Sequence, residues 1–123
     1  MTPAIDVPID PRAMDVRADE AAAVLKTLAN AQRLRILCQL VHEERTVGQI
    51  NEQLPGLSQS ALSQHLARLR EEGIVGTRRE STQVWYRLVD EPSRQLLGTL
   101  YAIYCSPAKP RRQGGARPDG RSR

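Results

Sequence analysis

A chain of 123 residues is long enough for one domain around one core. No apolar run approaches the ~20 residues of a membrane-crossing helix, and Met1-Thr2-Pro3 with scattered Asp lacks the basic-then-apolar pattern of a secretion signal, so a cytoplasmic protein is expected. The net charge of +4 is uneven: six Lys/Arg stand against Asp119 after Ser106, whereas residues 1–106 carry 12 Lys/Arg and 13 Asp/Glu. Any case for a polyanionic partner must therefore rest on where charges sit rather than on the pI.

Residues 1–13, with Pro3, Pro8 and Pro11 and no periodicity, read as a flexible arm. From Met14 to Leu28 an Ala- and Leu-rich composition predicts a helix. Asn30 can cap a second, in which Leu34, Leu37, Cys38 and Val41 fall on one buried face, ending near His42 and Glu43. Thr46-Val47-Gly48-Gln49 has the form of a capping box opening a short helix to about Leu54, and Pro55-Gly56 breaks it. Ser58 caps the next helix, with Leu57 and Leu62 at the spacing of a hydrophobic staple; Gly73 stops it after Glu72. Residues 46–72 thus read as helix, tight turn, helix. Val75–Arg79 and Val84–Leu88 then read as a hairpin with a longer-than-minimal loop, which makes a wing. Asp90, Glu91 and Pro92 open a last helix bearing Leu96, Leu97, Leu100, Tyr101, Ile103 and Tyr104. Residues 107–123, rich in Pro, Gly and Arg, read as a disordered basic tail. The expected fold is mainly α with a β-hairpin wing, a winged helix-turn-helix domain over 14–106.

On a helical wheel for Ser58–Glu72, Leu62, Leu66 and Leu69 face the core. Ser60, Gln64, Ala67 and Glu71 lie opposite, with Ser63 on the flank and Gln59 at the N-terminal end. Short polar side chains on the first turns let a helix enter a major groove and hydrogen-bond to base edges. The same face on an ordinary helix would simply be solvated; the tight turn before it and the basic hairpin after it favour DNA. Arg68 and Arg70 on the helix, and Arg78, Arg79 and Arg87 in the wing, suit phosphates or the minor groove. Glu71, Glu72 and Glu80 oppose them locally, which predicts a small footprint. His65, at the border of the buried stripe, can donate to a phosphate or pack and cap; both readings stay open.

The segments Leu25-Lys26-Thr27-Leu28-Ala29-Asn30, Arg33-Leu34-Arg35-Ile36-Leu37, Leu57–Leu66, Leu69-Arg70 and Gly73-Ile74-Val75 resemble the ArsR-type family of winged-helix regulators over about residues 18–105. The resemblance implies a homodimer built from the first and last helices, whose Ser58–Glu72 helices and hairpins contact an imperfect palindrome in double-stranded operator DNA. The broad apolar side of the last helix fits a dimer, because two half-sites need two reading heads. A helix that merely caps the monomer core is the plainer alternative.

Many ArsR-type regulators bind metal, but the ligand spacings are missing: the short third helix has no Cys, the last has no His, and His42 and His65 are isolated. No metal or other cofactor is expected. Cys38 and Cys105, 67 positions apart, would by themselves be two small buried hydrophobes. Their placement resembles the sulfide-responsive branch, of BigR and SqrR type and similar to HlyU, with one Cys in the second helix and one near the end of the last. The resemblance implies a repressor released when oxidants or reactive sulfur species couple the two thiols. Arg35 one turn before Cys38 and His42 one turn after it predict that Cys38 is the more acidic thiol, and Cys105 sits at a helix C-terminus that disfavours a thiolate. No convergent acid, base, nucleophile or phosphate loop points to an enzyme. A winged helix that binds protein would be expected to carry aromatic or aliphatic anchors where Ser60, Ser63 and Gln64 stand. The basic tail is expected to add little to operator affinity.

Overall fold

The computed structural model describes residues 7–105. Helix α1 (Pro11–Leu28) begins three residues earlier than its composition suggests. The Asp10 carboxylate accepts from the Arg12 amide at 3.0 Å, and Pro11 takes the first helical position, where its missing N–H costs nothing. A proline that looks like a breaker is here a starter, so the part of the expected arm from Pro11 to Ala13 is helical. Residues 1–6 and the tail expected over 107–123 lie outside the described residues.

Helix α2 (Ala31–Cys38) is capped by Asn30, whose side-chain oxygen accepts from the Gln32 and Arg33 amides. It stops at Cys38, not at His42–Glu43. The Gln39 amide donates to Ile36 and Leu37, the Leu40 amide turns to Leu37, and Arg45 Nε donates to the Gln39 carbonyl at 2.8 Å. Of the expected face, Leu37 is in the core and Leu34 and Val41 pack against it, but Cys38 is exposed; Ile36 and Leu40 are fully buried beside Leu37.

Strand β1 (Arg45–Thr46) follows, then α3 (Val47–Gln53), α4 (Gln59–Glu71), β2 (Val75–Glu80), β3 (Gln83–Leu88) and α5 (Glu91–Tyr104). The three strands form an antiparallel sheet in the order β1-β3-β2. Arg45 pairs with Tyr86 and Thr46 with Trp85, so the wing is anchored on the segment that leaves α2. The hairpin loop is shorter than expected. Glu80 pairs with Gln83, and Ser81-Thr82 make a two-residue turn with Ser81 at φ 60°, the left-handed conformation such turns demand.

Leu62, Leu66 and Leu69 of α4 are fully buried against Ile36, Leu37 and Ile50 in a single core. Three polar ties fix the outer elements. The Thr27 hydroxyl of α1 donates to the Glu72 carboxylate at the end of α4. Arg94 of α5 donates to the Val41 carbonyl and, at 3.0 Å, to the Leu88 carbonyl. The buried Ser93 hydroxyl donates to Asp90 at 2.6 Å, which locks the start of α5. Helix α1 packs on α5, yet Val16, Leu25, Tyr101, Ile103 and Tyr104 remain exposed on these two helices.

Candidate nucleic-acid interface and thiol pair

The helix-turn-helix is built by its caps. Thr46 and Gln49 exchange the two bonds of a capping box at the start of α3. Ser58 Oγ accepts from the Ala61 amide at 3.0 Å, and Leu57 and Leu62 are both buried beside it. Asn51 Nδ2 donates to the Leu57 carbonyl at 2.8 Å, tying α3 to the turn before α4. Gly73 closes α4 at φ +77°, where a side chain would be strained. With three leucines pinning its inner face, α4 leaves Gln59, Ser60, Ser63, Gln64 and Arg68 exposed together on the outer one. Donors and acceptors on a convex, rigid helix are what base-edge reading needs.

His65 is half-buried at the edge of this face. Burial, and then the positive charge of Arg33, hold its imidazole below the usual histidine value. Both causes favour the neutral imidazole. Arg33 itself donates to the Thr27 carbonyl at 3.3 Å, with its Nε buried and without a partner.

The wing arginines divide. Arg79 is exposed and makes no ion pair among the described residues. Arg78 is engaged within the protein. It donates to Glu44 at 2.8 Å and Glu80 at 3.0 Å, and its guanidinium lies 5.4 Å from the Trp85 ring centroid. Those bonds, to Glu80 first and then Glu44, push its pKa further up. Arg87 faces the same Glu44 at 3.8 Å. Sequence reasoning missed Glu44, Arg45 and Arg94 as organising residues. Their partners are 34 positions away for Glu44, 53 for Arg94, and a carbonyl for Arg45, so no local pattern marks them.

Cys38 at the end of α2 and Cys105 at the end of α5 are both free and exposed. Partial burial first, and then charge on Cys105, push the Cys38 thiol up. The expectation that Arg35 and His42 lower it is overturned. Arg35 Nη1 is turned to the Gln32 side chain at 2.9 Å, and α2 ends before His42 can occupy a next helical turn.

Among the described residues, no three His, Cys, Asp or Glu side chains are grouped so as to hold a metal ion, and no helix is long and apolar enough to cross a membrane.

Residues 30–77 match the family model described as "Bacterial regulatory protein, arsR family". The chain is 47% identical over 95 residues to the biofilm growth-associated repressor of Agrobacterium fabrum, covering 77% of this chain and 80% of that protein. It is 42% identical over 98 residues to the transcriptional activator HlyU of Vibrio cholerae, covering 80% and 90%. Among solved structures, it superposes on the transcriptional repressor BigR of Xylella fastidiosa with a TM-score of 0.75 at 44% identity, covering 80% of this chain and 99% of that one.

Proposed function

The chain belongs to the arsR family of bacterial regulatory proteins, DNA-binding transcriptional regulators, and from that premise we propose that it is a cytoplasmic, homodimeric repressor released from its operator through a Cys38/Cys105 dithiol switch. The repressor sense follows the names of its relatives in Agrobacterium and Xylella. The exposed polar face of α4 supports reading of base edges by Gln59, Ser60, Ser63 and Gln64. Arg68, Arg70 and Arg79, exposed and without an ion pair among the described residues, supply cations for phosphates. Dimerisation through α1 and α5 is supported by the apolar residues these helices leave exposed.

What supports the switch is that both cysteines are free and exposed, one at the end of α2 and one at the end of α5, with charge on Cys105 among the causes that raise the Cys38 thiol. A thiolate accepts sulfane sulfur, and a neighbouring thiol resolves the product. A bridge would join α2, whose Ile36 and Leu37 share the core with the reading helix, to α5, which would carry the dimer face, and so couple sensing to the spacing of the two heads.

Fluorescence anisotropy on the DNA upstream of the protein's own coding sequence tests this, with intact mass on reduced and persulfide-treated samples. Affinity is expected to fall at least about tenfold, 1.4 kcal/mol, with an intramolecular bridge that Cys38→Ser abolishes. Equal binding in both states sinks the switch and leaves the regulator. The likeness to HlyU, named an activator, favours a second reading: activation by displacing another DNA-binding protein. Transcription in the deletion strain decides, since loss of a repressor raises it.

A further inference from the structure

Side chains two apart on a strand, and those directly paired across it, share a face of the sheet. In the wing, Arg78 pairs with Trp85 and Gly76 with Arg87. Arg78, Glu80, Trp85 and Arg87 therefore stand on one face of the hairpin, and Arg79 on the other. A third element reaches the first of these faces. Arg45 pairs with Tyr86 and Thr46 with Trp85, and one step further along that register puts Glu44 across from Arg87. The half-buried Glu44 carboxylate accepts from Arg78 Nε at 2.8 Å through one oxygen and faces Arg87 at 3.8 Å through the other. Gly76 stays bare beneath Arg87, since an added Cβ there would stand 4.0 Å from the guanidinium carbon and crowd Val89 at 3.1 Å. Glu80 completes the group by accepting from Arg78 at 3.0 Å. Glu43, the neighbouring acid, is turned to Arg45 at 2.9 Å. Two carboxylates and two guanidinium groups thus cancel on this face, whereas Arg79 makes no ion pair among the described residues.

We propose that Glu44 is a positioning residue that limits the wing's phosphate contacts: supplied by the segment leaving α2, it holds Arg78 and Arg87 in a neutral cluster with Glu80, so that Arg79 is the wing's cation for DNA. The inference rests on the DNA-reading part of the function proposed above and is independent of the dithiol switch. A single exposed ion pair is weak, but the effect does not need the pairs to stay closed. If a phosphate draws Arg87 away, the Glu44 carboxylate is left facing a polyanion, and its repulsion offsets the new contact. Phosphate contacts carry no sequence information. A wing kept to one cation adds little affinity for arbitrary DNA and leaves discrimination to the polar face of α4.

The test is the salt dependence of DNA binding by the reduced full chain, read by fluorescence anisotropy on two duplexes: the DNA upstream of the protein's own coding sequence, and a scrambled duplex of equal length. Glu44→Gln removes the charge and keeps the size. Arg87 then loses its one acidic partner among the described residues, while Arg78 keeps Glu80. The plot of log affinity against log salt should steepen by about 0.9 on both duplexes, an about threefold larger loss of affinity between roughly 50 and 200 mM salt. Adding Glu80→Gln frees Arg78 as well and should about double the steepening. Adding Arg87→Ala to Glu44→Gln should instead return the wild-type slope. A purely structural Glu44 predicts weaker operator binding with an unchanged or shallower slope, and that result overturns the proposal. If Glu44→Gln fails to fold, Arg87→Ala alone decides: a masked arginine leaves the wild-type slope nearly unchanged, and a slope shallower by about one overturns the masking. The two duplexes separate the two levels. A wild type that binds both equally overturns the operator reading of α4, and the slopes on the scrambled duplex still decide for or against Glu44.

Discussion

Arg35, one turn before Cys38, turns its guanidinium to the Gln32 side chain and is not among the groups that act on the thiol. What does reach it is burial and the second thiol, and both disfavour the thiolate. The sign is testable. In Cys105→Ser the smaller cause disappears and the larger remains. The pH–rate profile of Cys38 with a neutral alkylating agent should shift to lower pH than in the wild type, yet stay above that of a free thiol. A profile unmoved by Cys105→Ser would mean the two sulfurs do not sense each other. The wing arginines make a second contrast at this scale. Arg79→Ala should weaken operator binding and lower the salt slope by about one. Arg78→Ala should change the slope less, because Glu44 and Glu80 already balance its charge; an equal slope change in anisotropy titrations would show that DNA strips Arg78 from these partners. The identity of the thiols and of the polar α4 residues was readable in the chain, since a motif fixes residue types. Their electrostatic state was not, since it depends on which atoms Arg35 and Arg78 face.

Elements were legible where a local signal defines both ends. Ser58 and Gly73 bracket α4, and the structure returns that helix with Ser58 as its N-cap and Glu72 as its C-cap. Ser58→Ala should therefore cost about 1 kcal/mol in chemical denaturation. Gly73→Ala should cost about 1–2 kcal/mol because its φ is left-handed. A cost near zero for both would mean that the three buried leucines alone hold α4. Signals that belong to tertiary structure were not legible. Strand β1 is two residues long, too short for any alternation, and exists only because β3 offers it a partner. Of the spacing Leu34-Leu37-Cys38-Val41, three residues pack in or on the core, but the chain turns at Gln39, so Leu40 is buried and Cys38 is not. That turn, held by Arg45, leaves Cys38 exposed at the end of α2.

At the scale of the molecule, the same bond that would release DNA should make the protein harder to unfold. Linking Cys38 to Cys105 closes a loop spanning 67 positions. The chain-entropy model gives up to about 4 kcal/mol for such a closure, less any strain in the folded form. Operator binding depends on something else, the spacing of two reading heads across a dimer, which a bridge between α2 and α5 would bias. Stability and affinity should therefore move in opposite directions. Thermal melts of reduced and bridged protein, at one fixed concentration because dimerisation itself raises Tm, should show the bridged form melting higher. Anisotropy on the same samples should show it binding DNA more weakly. A bridged form that melts lower would have a different meaning: oxidation would be distorting the fold, and the lost affinity would report damage to α4's seat rather than a switch between two folded states.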